Sequence, residues 1–126
     1  MMKSVLTAGA LIVSLAMPVL ANGDAEKGEK VFKKCKACHQ VGEGAKNRVG
    51  PILNGIVGKA AGSDEEFKYS DALAEKAAEG LVWDEASLTE FLAKPKNFIK
   101  GTKMSFAGLR KDDDIENLIA YLATFE

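Results

Sequence analysis

The sequence predicts a small all-α domain of three to five helices, and three observations carry that prediction. Ile115, Leu118, Ile119 and Leu122 recur at i, i+3, i+4 and i+7, which places them on one helix face. Residues suited to cap helix N-termini (Asp24, Ser70 or Asp71, and Asp84) stand ahead of three further apolar stretches. No segment alternates apolar and polar residues for long enough to make a strand, and no internal repeat is present. The formal net charge of −1 gives no ground for a nucleic-acid partner.

The chain opens Met1-Met2-Lys3 and then runs apolar from Val5 to Leu20, broken by Thr7 and Ser14. Pro18 interrupts the run, and Val19-Leu20-Ala21 puts a small residue where a signal peptidase cuts. The run is short of the roughly 20 residues a membrane span needs. Residues 1–21 therefore read as a secretory signal cleaved after Ala21, with 22–126 as one domain. The alternative, an uncleaved anchor, would tether the same domain to a membrane.

Asp24 caps a first helix from Ala25, in which Gly28, Val31, Phe32 and Cys35 share a side. A glycine inside a helix costs about 1 kcal/mol relative to alanine. At Gly28 it suits the close approach of another backbone. The expected partner is the C-terminal helix, crossing so that Gly28 and Phe32 meet Leu118 and Tyr121. Acidic Asp112, Asp113 and Asp114 suit the positive end of that helix.

Between these helices stands Cys35-Lys36-Ala37-Cys38-His39, a C-x-x-C-H stretch holding both cysteines and the one histidine of the chain. The pattern is the attachment sequence of a c-type haem: two thiols add to two vinyl groups, and the histidine can ligate the iron. A redox dithiol or a plain disulfide shares the C-x-x-C spacing. A zinc site would lack further ligands. Export agrees with haem attachment, which in bacteria takes place outside the cytoplasm.

Residues 40–62 hold six glycines and Pro51 and read as a long irregular loop. Its apolar residues Val49, Ile52, Leu53, Ile56 and Val57 argue against disorder and call for a surface to pack on. A shorter helix runs from Ser70 or Asp71 to about Glu79 and ends at Gly80. Another follows Asp84, carries Leu88, Phe91 and Leu92, and stops at Pro95. Lys100 to Phe106, after Pro95, reads as a loop.

Met1, Met2 and Met17 fall in the leader, so one methionine, Met104, remains beyond it. A six-coordinate haem needs a ligand across from His39. A neutral thioether serves without losing a proton, whereas a lysine must first lose one. Met104 as ordinary core filler stays open at this point.

Charge is segregated along the chain. Lys30, Lys33, Lys34 and Lys36 precede His39 with no acid among them, and six basic residues lie between Lys94 and Lys111, again with none. Nine acids fall between Asp64 and Glu90. If the basic stretches meet, they form a face that steers the molecule toward acidic partners. Ordinary solvated helix faces would produce the same counts.

These residues resemble the class I cytochromes c, the mitochondrial type and its soluble bacterial periplasmic relatives. The likeness runs through Gly23-Asp24-Ala25-Glu26-Lys27-Gly28, Val31-Phe32, Cys35 to His39, Gly50-Pro51 and Phe67-Lys68-Tyr69-Ser70-Asp71-Ala72. It continues through Gly80-Leu81-Val82-Trp83, Pro95-Lys96, Gly101-Thr102-Lys103-Met104, Phe106-Ala107-Gly108 and Leu118-Ile119-Ala120-Tyr121-Leu122. The resemblance implies a small cytochrome c fold around one haem c, held by thioethers at Cys35 and Cys38, with His39 and Met104 as axial ligands. It implies that the Pro51 carbonyl accepts from the His39 ring, and that Tyr69, Trp83 and Thr102 donate to the propionates.

Docking would fall to a basic rim that includes Lys34, Lys96 and Lys103; Lys36 and Lys100 belong to the same two basic stretches. The function implied is a monomeric periplasmic one-electron carrier and not an enzyme. It would run between a cytochrome bc-type complex and a terminal oxidase, peroxidase or photosynthetic reaction centre. The chain departs from the family at three places. Phe91 stands for a tyrosine near the methionine sulphur, Lys59 for an arginine near a propionate, and Leu73 for an asparagine, which implies a drier pocket.

Overall fold

The computed structural model describes residues 23–126. The expected leader, residues 1–21, lies outside the described residues. Five helices follow in order: α1 Ala25–Phe32, α2 Asp71–Ala78, α3 Glu85–Ala93, α4 Pro95–Phe98 and α5 Asp112–Leu122. Among the described residues the one β-type pairing is an isolated antiparallel bridge between Ala60 and Val82.

Local chemistry sets the helix ends. The extended Asp24 accepts from the amides of Glu26 and Lys27 at 2.9 and 3.2 Å, using donors the first turn leaves free. Ser70, not Asp71, caps α2 by accepting from Leu73 N–H at 3.1 Å. Asp84 caps α3 through Ser87 N–H at 2.7 Å. At α5 no side chain caps the start; Asp112, Asp113 and Asp114 occupy its first turn and oppose the positive end of its dipole. Gly80, at φ +94°, turns the chain out of α2 in a conformation other residues adopt only with strain.

Pro95 adds to the sequence reading of this region. It ends α3 as expected, and a short helix that the sequence reading did not name stands between α3 and the Lys100–Phe106 loop. The fixed φ and missing N–H of Pro95 suit the first position of a new helix, and α4 starts on it. Ile99, just beyond, is fully buried.

The α1–α5 crossing is the tightest junction. Gly28 is buried, and a Cβ there would run into the carbonyl of Asn117 and the Cβ of Tyr121. Phe32 packs its ring 5.5 Å from that of Tyr121. The expected pairing therefore forms, with an addition: Asp24 N–H donates to Asn117 Oδ1 at 2.8 Å, fixing how the two helices slide. Ile115, Leu118, Ile119 and Leu122 are all buried, and they join Phe32, Leu88, Phe91, Leu92, Ile99 and Trp83 in one core. That core forms the floor of the cleft described next.

Candidate functional site

Beyond Phe32 the backbone tightens into turns. Cys35 C=O accepts from both Cys38 N–H at 3.1 Å and His39 N–H at 2.9 Å. This fold-over brings Cys35, Cys38 and His39 to one side. All three line a cavity of about 300 Å³ whose walls are mainly apolar, among them Phe32, Leu53, Ile56, Leu92 and Leu118. Pro51, Tyr69, Trp83, Thr102 and Met104 line the same cavity. Segments far apart in sequence thus converge on one cleft.

The imidazole is oriented. His39 Nδ1 lies 2.8 Å from the Pro51 carbonyl oxygen, which can only accept, so Nδ1 carries the proton and Nε2 is left with its lone pair. Gly50 makes that approach possible: it is buried, and any Cβ there would fall on the His39 ring. Its N–H holds Cys38 C=O at 2.9 Å. Burial pushes the imidazole below its ordinary value, with the Pro51 carbonyl working the other way, which favours the neutral ring a metal needs. Burial, then the neighbouring Cys38, pushes the Cys35 thiol up against the pull of Lys34.

The hydroxyls around the cleft have one side in use. Tyr69 Oη accepts from Asp64 N–H at 3.1 Å and Thr102 Oγ1 from Met104 N–H at 3.2 Å. Each keeps its O–H to donate. Trp83 packs its ring 5.0 Å from that of Phe91, tilted by 50°, and Phe91 sits 6.3 Å from Phe98, so an aromatic cluster backs this wall. Paired thiols, an oriented neutral imidazole, a thioether and apolar walls are a donor set that fits a haem.

The family model described as Cytochrome c matches residues 25–126. The chain belongs to the cytochrome c family. It is 57% identical over 99 residues to cytochrome c-550 of Ancylobacter novellus, covering 79% of this chain and 92% of that one. It is 54% identical over 100 residues to cytochrome c2 of Agrobacterium tumefaciens (strain II Chrys), covering 79% and 90%. The solved cytochrome c2 of Rhodospirillum centenum superposes with a TM-score of 0.78 at 36% identity, covering 82% of this chain and 99% of that one. As a cytochrome c the protein carries haem c covalently through Cys35 and Cys38 and works in electron transport.

The five lysines singled out in the sequence separate in the structure. All are exposed. Lys34 and Lys103 lie on the haem cleft, from segments about seventy positions apart, and Lys59 and Lys68 join them. Lys36 lies instead on a shallower depression beside Gln40 and Tyr121, and Lys96 and Lys100 line neither. Among the described residues the one ion pair is Lys76–Glu79 at 4.0 Å, so no cleft lysine is in contact with a carboxylate.

The loop packs less completely than its composition suggests. Leu53, Ile56 and Val57 pack on the core, but Val49 is 78% exposed at the cleft edge. Leu73 and Phe91 line the cleft with no polar atom to offer. Sequence reasoning passed over Asn47 and Asp64, which join the cleft loops. A glycine directly before Pro51 was the one available signal for the histidine seat.

Proposed function

We propose that the protein is a periplasmic one-electron carrier whose haem iron is held by His39 and Met104. The observation that carries this is the His39 imidazole, neutral and aimed by Pro51, on one cleft with the two cysteines and Met104. When bound, haem supplies the Fe(II)/Fe(III) couple. His39 Nε2 and the Met104 thioether would hold the iron and leave it no open site for a small molecule. Tyr69 and Thr102, and Trp83 through its indole N–H, would donate to the propionates. Apolar Leu73 and Phe91 exclude water, which disfavours the extra positive charge of the ferric state.

The chain has no second histidine to serve as a distal acid or base, in keeping with a carrier rather than an enzyme. Residues 1–21 act as the export signal and leave 22–126 as the mature domain, a monomer in the periplasm. Lys34 and Lys103 at the cleft, together with the exposed Lys36, Lys96 and Lys100 outside it, steer the protein to acidic surfaces. The partners are a bc-type complex as donor and an oxidase, peroxidase or reaction centre as acceptor.

The test is the ferric absorption spectrum together with a redox titration. A weak far-red methionine–iron band at neutral pH is expected, and it should vanish in Met104→Ala while the potential falls. A high-spin ferric spectrum in the unaltered protein would reject the carrier reading. Reduction by a bc-type donor should slow as salt rises; salt-insensitive rates would reject the basic docking surface.

A further inference from the structure

The Pro51–Ile52 peptide is bonded at both ends. Its carbonyl accepts from His39 Nδ1–H at 2.8 Å, and its N–H, on Ile52, donates to Asn47 Oδ1 at 2.8 Å. The Asn47 amide is in turn engaged through nitrogen: Nδ2 donates to Asp64 Oδ2 at 3.0 Å. Asp64 is itself fixed, because its other oxygen accepts from Glu66 N–H at 2.9 Å and its N–H donates to Tyr69 Oη. Four groups therefore stand in series with every dipole in one sense: carboxylate, side-chain amide, peptide, imidazole. Each link polarises the next, since an amide that donates more strongly through N–H accepts more strongly through its carbonyl.

We infer that Asn47 is a positioning residue that relays the negative charge of Asp64 to the His39 ring and so sets the reduction potential. The inference rests on the proposed ligation of iron by His39. A stronger acceptor at Nδ1–H makes Nε2 a better electron donor, which favours the ferric state and lowers the potential. The Glu66 and Asn47 donors hold the Asp64 carboxyl below its ordinary value, and Lys59 nearby acts in the same direction, so the anion is present at neutral pH. Neither Asn47 nor Asp64 lines the cleft, so both act at a distance.

A double-mutant cycle on the haem-loaded protein tests the relay. Asn47→Leu and Asp64→Asn should each raise the potential, Asn47→Leu the more, with the far-red band retained. In the Asn47→Leu background Asp64→Asn should produce no further shift. A shift that persists there, and shrinks with added salt, means Asp64 acts through space and overturns the relay. A lowered urea midpoint with unchanged potentials means a purely mechanical clasp and overturns it too. If Asn47→Leu does not fold, the salt dependence of the Asp64→Asn shift decides: a shift that persists in added salt supports the relay, and one that shrinks, or no shift, overturns it. In the reduced, diamagnetic protein the His39 Nδ1–H resonance should move upfield, and an unmoved resonance overturns the relay. Should His39 not ligate iron, the unaltered protein would already lack a low-spin spectrum. Failure of the relay alone leaves that spectrum intact.

Discussion

The α1–α5 crossing and the loop wall of the cleft are held by opposite means. At the crossing, backbone meets backbone over Gly28, and Phe32, Leu118, Ile119 and Leu122 of the two helices are almost fully buried. The wall from Val41 to Tyr69 contains no helix and keeps most of its apolar residues half-buried. It is tied by side-chain hydrogen bonds: Asn54 clasps Gly42 at both N–H and C=O, at 2.7 and 2.9 Å, and Asn47 reaches Asp64. Close packing makes the first junction intolerant of added volume. The second tolerates change but depends on a body in the cleft against which Leu53 and Ile56 complete their burial.

The largest expected effect is on that dependence. Cys35→Ser with Cys38→Ser should yield a colourless protein. By hydrogen exchange, amides of the 41–69 wall should lose protection before those of α5; equal loss in both would erase the distinction. Next is Gly28→Ala, which forces a methyl onto the Asn117 carbonyl and should cost about 3 kcal/mol in a urea melt, at the upper end for overpacking. Gly44→Ala is its counterpart in the wall. At φ +76° with open space around it, it should lose about 1–2 kcal/mol, from backbone strain alone. If the two glycines cost the same, tight packing is not what singles out the crossing.

Ser70→Ala removes the α2 cap at the end of the wall and should cost about 1 kcal/mol, with the haem spectrum unchanged. The smallest effect concerns acid. Ser87 N–H, then its side chain, hold the Asp84 carboxyl below its ordinary value in the folded protein. The unfolded chain therefore binds the proton more readily. Asp84 contributes its stabilisation above the ordinary carboxylate range, and the contribution is lost as pH falls through the folded value. Asp84→Asn should flatten the acid limb of stability while leaving the pH dependence of the potential unchanged. An acid limb as steep as in the unaltered protein would show that another carboxylate governs it.

Helix starts at Asp24, at Ser70 or Asp71, and at Asp84 were legible because a cap acts within three residues. The stripe from Ile115 to Leu122 was legible because helical period repeats locally. The short helix α4 was not legible, since the proline chemistry that stops one helix also suits the first residue of the next. Lys36, Lys96 and Lys100 could not be told from Lys34 and Lys103 by counting charge, because which lysines reach the cleft depends on how distant segments close.

By itself the sequence determined the haem attachment stretch, the helix ends and the amphipathic faces, all written in residues near one another along the chain. Only the tertiary structure decided that Gly28 sits on Asn117, that Gly50 seats His39, and that Asp64 is joined through Asn47 to the peptide holding the imidazole. Those contacts join segments whose separation in sequence carries no periodic signal. They exist because burying one shared core brings particular backbone carbonyls, amides and rings within bonding reach.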